Sequence, residues 1–168
     1  MDIKKFKDIW NEIKSIEGLV PEVVETHIKN IEQKKANGEE ILPIVYCDIN
    51  ETLLGRHGGL NVPIYNALEK LKEHGYKIVI ASALPDEGRD NLVKRGVIVA
   101  PSRNGYPVVN KVDLLETKDG LNEEYRNAAE GNKPQLELYI DDAERGLKSE
   151  AFAGYMDPYE LLEDPCAN

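Results

Sequence analysis

The chain has 168 residues, 41% hydrophobic and 31% charged, which suits one globular domain of ordinary size and not a disordered polymer. No apolar run approaches the ~20 residues needed to span a bilayer, and the N-terminal stretch lacks the apolar core of a secretory signal. A net charge of −10 disfavours nucleic acid and anionic membrane as partners, and two distant cysteines form neither a disulfide framework nor a metal spacing, so a reducing cytoplasm is the expected setting.

In chain order, Ile3, Phe6, Ile9, Trp10, Ile13 and Ile16 recur at helical spacing until Gly18 supplies a stop. Pro21 opens a second helix with the stripe Val23, Val24, His27, Ile28 and Ile31, ended by the polar run 33–40. Residues 1–40 therefore predict a helical hairpin packed as an appendage on a domain formed by 41–168. Its apolar faces serve either that packing or a surface for a homo-oligomer or protein partner. His27, on the apolar side, reads as a core histidine.

Residues 44–52 read I-V-Y-C-D-I-N-E-T, a short apolar run that ends in a carboxylate, an amide and a hydroxyl. This pattern predicts a buried strand that delivers Asp48, Asn50 and Thr52 to a sheet edge. The Gly-rich loop L-L-G-R-H-G-G-L-N-V-P follows, and its glycines allow close approach of a ligand. Arg56 and His57 within it read most simply as exposed loop charges, as do Arg103 and Arg145 further on. Pro63 starts a helix with Ile64, Ala67, Leu68 and Leu71 on one face, and the strand 77–81 ends at Ser82. Strand, helix, strand at this spacing implies a right-handed parallel crossover, so Ser82 belongs at the same edge as Asp48.

A helix over 86–95 and a short strand over 97–100 are expected next, leading into the turn-rich P-S-R-N-G-Y-P. Residues 108–115 fit a strand followed by a helix with Lys111 at the junction, and 116–133 fits a helix flanked by loop. The strand 136–140 ends in Asp141 and Asp142, followed by A-E-R-G-L as helix or turn. A last short strand in A-F-A-G-Y precedes a helical turn capped by Asp157 with Pro158 at its first position.

Three strand ends thus deliver Asp48 with Thr52, Ser82, and Asp141 with Asp142. These motifs resemble the haloacid dehalogenase-like superfamily of phosphatases and phosphotransferases over residues 41–158. D-I-N-E-T matches the first motif, with Asp48 as nucleophile; Ser82 matches the second; L-Y-I-D-D matches the acidic fourth. The third, a lysine, is matched by Lys111 or by Lys133. The resemblance implies an α/β, three-layer Rossmann-like domain with a mostly parallel sheet and a minimal or absent cap. It implies Mg²⁺ held by Asp48, Asn50, Asp141 and Asp142, a phosphomonoester substrate, and catalytic roles for Asp48, Asn50, Thr52, Ser82 and Lys111.

The chemistry is coherent on residue type alone. A carboxylate displaces at phosphorus, a hard cation offsets repulsion between anions, and hydroxyls and an ammonium bind the non-bridging oxygens. The departure is Asn50, where the resemblance implies the aspartate that protonates the leaving group and activates water. Whether natural or engineered, an amide does neither, and such catalysis is typically worth ~10²- to 10⁴-fold. A catalytically inactive interaction module is therefore the alternative. A response-regulator-like receiver fits less well, because of Thr52 and the long N-terminal helices. Cys47, inside an apolar strand, reads as a small buried hydrophobe.

Overall fold

A computed structural model describes residues 1–116, 135–143 and 152–168. The expected helix over 116–133 with Lys133, and the turn containing Arg145, lie largely or wholly outside the described residues. Helix α1 (Ile3–Lys14) begins where the Asp2 carboxylate accepts from the Lys5 amide at 2.8 Å, and it buries Phe6, Ile9, Trp10 and Ile13 on one face. Gly18, at φ +91°, turns the chain against Pro63, where any side chain would collide with the proline ring. Helix α2 (Pro21–Ala36) carries proline in its first turn and buries Val24, His27, Ile28 and Ile31.

The next elements are β1 (Ile41–Asp48), α3 (Val62–Glu73), β2 (Lys77–Ser82), α4 (Pro85–Lys94), β3 (Val108–Asn110) and α5 (Lys111–Glu116). After them come β4 (Gln135–Ile140), β5 (Phe152–Met156) and the short α6 (Pro158–Leu161), capped by Asp157. The five strands form one sheet in the order β3-β2-β1-β4-β5, and every described pairing is parallel. From β1 the chain steps one way to β2 and β3, then returns to β4 on the other side of β1. The crevice where strand order reverses, beyond the carboxyl ends of β1 and β4, is where ligands bind in open parallel sheets.

The expected strand over 97–100 is corrected. Only an isolated bridge joins Val99 to Tyr106, and the third parallel strand is β3. The reason is local pairing: Ala100 donates to the Tyr106 carbonyl at 2.8 Å and Tyr106 donates to Ile98 at 2.9 Å. Their hydrogen bonds are spent inside a tight turn, and Gly105 lets the backbones approach. The junction of strand and helix at Lys111 forms as expected, with the Asn110 side chain accepting from Val112 at 2.9 Å.

Both sheet faces are apolar and buried, as a parallel sheet requires. Val45, Cys47, Ile78, Ile80, Leu138 and Ile140 share one core with the buried faces of α1, α2 and α3 and with Leu92 of α4. Leu42, Ile44, Tyr46, Val79, Ala81, Leu136, Tyr139 and Phe152 line the other. The helical hairpin is thus built into the principal core. Among the described residues no helix is long and apolar enough to cross a membrane.

That core contains a polar network. Glu137, 2% exposed, accepts from the Tyr76 hydroxyl at 2.7 Å and pairs with His27 Nε2 at 3.3 Å, while Trp10 Nε1 donates to the Tyr76 oxygen at 3.1 Å. Helices α1 and α2, strand β4 and the residue preceding β2 are tied together by buried groups. Removing one partner of a buried pair strands the others and costs about 3–5 kcal/mol. Glu137→Ala is therefore expected to lower the urea midpoint by that equivalent, read from the fluorescence of the single tryptophan, Trp10. An unchanged midpoint would contradict this account of the network.

Candidate functional site

Asp48 is the last residue of β1, and the chain turns sharply after it. Thr52 donates its amide to Ile49 at 3.2 Å, Leu53 to Asp48 at 3.3 Å and Leu54 to Ile49 at 2.8 Å, closing a helical turn. Glu51 takes φ +56° within it, a conformation uncommon for residues other than glycine. The turn brings the fully buried Thr52 hydroxyl to 3.5 Å from Asp48 Oδ2, a long contact. The buried Asn61 amide fixes the turn by donating to the Thr52 carbonyl at 2.6 Å.

Asp141 follows β4, the neighbour of β1, and is fully buried. Its Oδ1 accepts from the Ala143 amide at 2.8 Å, and its carbonyl accepts from the Tyr155 hydroxyl at 2.6 Å. Lys111 arrives from the end of β3 and bridges the two acids, with Nζ 2.7 Å from Asp141 Oδ2 and 3.2 Å from Asp48 Oδ1. Asp142 completes the group. One oxygen from each of Asp48, Asp141 and Asp142 lies within 4.8 Å of the others. Lys111 is thus the lysine at the site among the described residues.

Three carboxylates face one ammonium, and the electrostatics record the imbalance. Burial, reinforced by Asp141 and only partly offset by Lys111, raises the Asp48 carboxyl to about 8. Asp142 is raised as well, first by burial. Burial alone would lower Lys111, but its hydrogen bond to Asp141 and the charge of Asp48 outweigh that and hold it above the ordinary lysine value. The Tyr139 hydroxyl is pushed well above the usual tyrosine range, by burial and then by Asp141 and Asp48. It is buried with no hydrogen-bond partner among the described residues.

The other expected site residues divide. Ser82 lies one position beyond Ala81, the register partner of Asp48, so it reaches the same edge. Its hydroxyl accepts from the Leu84 amide at 3.1 Å and lies close to Gly88 at the start of α4, where a larger residue would press on it. Asn50 is exposed and lines a neighbouring cleft. Arg56 and His57 are exposed on the Gly-rich loop, and Arg103 is exposed in the turn before Tyr106. Cys47 is fully buried, and burial, then the adjacent carboxylates, push its thiol well up, so it is no nucleophile. His27 lies in the core.

Sequence reasoning passed over Tyr139, Asn61 and Glu137. Tyr139 reads as an ordinary apolar strand residue, although its place two positions before Asp141 was a signal. Nothing local marks Asn61 or Glu137.

No family model, curated protein or solved structure matches the chain.

The crowding of charge has a measurable consequence in the metal-free protein. An acid raised from the unfolded ~3.9 to about 8 in the folded state favours folding below the lower value and loses that contribution as pH rises toward the higher one. With a chelator present, Asp48→Asn is expected to stabilise the fold at neutral pH by on the order of 4 kcal/mol. The gain should grow between about pH 4 and about pH 8 and then level off. Thermal melts across that range check it, and a constant or opposite difference would contradict it.

Proposed function

We propose that the chain is a Mg²⁺-dependent phosphatase or phosphotransferase of haloacid dehalogenase-like type, acting on a phosphomonoester through an aspartyl-phosphate at Asp48, with turnover impaired by Asn50. The observation that carries this reading is the meeting of Asp48, Asp141, Asp142 and Lys111 beyond the carboxyl ends of β1 and β4, where strand order reverses. They arrive from three separate parts of the chain: the end of β1, the start of α5 and the two residues after β4. A structural ion pair needs one acid for one lysine, and this cluster holds two acids more than its ammonium neutralises.

The donor set fits a hard divalent cation: closely spaced carboxylate oxygens, excess negative charge in a buried setting, and an orphaned hydroxyl beside them. Asp48, Asp141 and Asp142 would hold it, with Asn50 as the further donor implied by the sequence. When bound, Mg²⁺ neutralises charge shared between the carboxylates and the phosphate oxygens.

In this reading an Asp48 oxygen attacks phosphorus, a P–O bond forms to the carboxylate, and the bond to the ester oxygen breaks. Lys111 is placed to neutralise charge that spreads over the phosphoryl oxygens, and the Thr52 and Ser82 hydroxyls to donate to them. The departing oxygen needs a proton, and the later water needs a base. Asn50 supplies neither, so both transfers fall to solvent.

The same amide supports a second reading, an inactive module that binds a protein partner. The apolar face of the helical hairpin is already used in the core; Met1 and Ile3 are its only exposed large hydrophobics. Restoring the acid separates the two readings. Asn50→Asp is expected to raise hydrolysis of an aryl phosphate with Mg²⁺ by ~10²- to 10⁴-fold, and adding Asp48→Asn is expected to abolish it. No hydrolysis by Asn50→Asp across a broad phosphomonoester panel would overturn the first reading in favour of the second.

A further inference from the structure

The turn after β1 opens onto a cleft of about 310 Å³ whose lining includes Asn50, Glu51, Arg56, Asn91, Lys94 and Arg95. Asn50 and Glu51 follow Asp48 by two and three positions, so the turn that leaves the carboxylate cluster forms one wall of the cleft. It runs between the Gly-rich loop and α4 toward the end of that helix. Its volume lies at the small-molecule end of the range of ligand sites.

The charge inside opposes that of the molecule. The chain carries −10 overall, yet this cleft gathers three cations and one carboxylate. That carboxylate is engaged, accepting from the Tyr159 hydroxyl at 2.8 Å. Among the described residues, no ion pair neutralises Arg56, Lys94 or Arg95. The contact of Arg56 with Cys166 Sγ, at 3.9 Å, is a weak one. Arg95 extends from the end of α4 across to the loop, where its Nη2 lies 3.6 Å from the position a side chain on Gly58 would take. Gly58, at φ +80°, leaves that approach open. A group of unneutralised cations on an acidic protein concentrates anions locally. Planar guanidinium forks suit carboxylate or phosphate oxygens.

We propose that this cleft is an anion subsite that takes the second anionic group of a small phosphorylated substrate whose phosphoryl group lies at Asp48. The inference rests on the phosphoryl-transfer reading above and narrows its substrate class to phosphomonoesters carrying a remote phosphate or carboxylate. Asn50 lines the cleft that the rest of such a substrate would occupy.

Titration calorimetry of the full chain with Mg²⁺ at low salt tests this with three probes: hexyl phosphate, phosphorylated hydroxyhexanoate and hexanediol bisphosphate. A dianionic probe is expected to bind roughly tenfold more tightly than hexyl phosphate, and whichever gains more identifies the second group. In the variant Arg56→Gln, Lys94→Gln, Arg95→Gln, that ratio should fall to near unity. In a control with the same loss of charge on the hairpin, Lys4→Gln, Lys5→Gln, Lys29→Gln, it should persist. Equal affinity for all three probes in the unaltered protein overturns the proposal, as does a ratio that survives the cleft substitutions or is lost equally in the control. Asp48→Asn distinguishes failure of the underlying reading. Hexyl phosphate binding that is indifferent to Asp48→Asn removes the phosphoryl site, whereas bisphosphate binding then lost only in the cleft variant still supports the anion subsite.

Discussion

The contact of the Lys111 ammonium with Asp48 and Asp141, at 3.2 and 2.7 Å, is what the upper edge of this sheet is built around. It joins the ends of β1 and β4 to the start of α5, bringing together residues far apart in sequence. Taking two carboxylates out of water is costly, and their attraction to a single ammonium repays this only in part. Asp142 adds a third negative charge. The fold therefore concentrates negative charge where it is hardest to hold, in a crevice already favourable for a ligand. A cation is the kind of occupant such an edge suits.

The remainder of the molecule makes this arrangement rigid. A parallel sheet buried on both faces holds Asp48 in register with Ala81, one position before Ser82, and holds Cys47 in register with Ile140, one position before Asp141. The helical hairpin contributes Phe6, Ile9, Trp10 and Ile13 to the same core that backs β1 and β4. The Glu137 network ties hairpin, sheet and Tyr76 together with directional bonds, which specify geometry more narrowly than apolar contact does. Rigid elements position a reactive group better than a loop does. Here the carboxylates stand at or just beyond strand ends and the lysine at a strand–helix junction.

Asn50 sits between two environments, following the nucleophile candidate in sequence and lining the cationic cleft in space. An amide at this position supplies neither acid nor base to the proposed reaction, and it adds no negative charge to the lining of a cleft whose charges are mostly positive. On the proposed reading, weak turnover and retained binding of dianions would both trace to the same amide.

Much of this was legible in the order of residues. Apolar periodicity determined the hairpin helices, β1, α3, β2 and β4, because burial on one face or two writes itself into a period of 3.6 or 2. The abrupt change from apolar to polar at Asp48, Ser82 and Asp141 marked strand ends at a common edge, and Lys111 fell at its junction. The expected strand over 97–100 failed because its few apolar residues make local turn bonds, which periodicity does not distinguish from a ladder. Only the tertiary structure decided that Lys111 bridges Asp48 and Asp141, that Glu137 is buried among His27, Tyr76 and Trp10, and that Arg56 shares a cleft with Lys94 and Arg95. Those are meetings of side chains from separate elements, set by strand order and packing, and no local pattern encodes them.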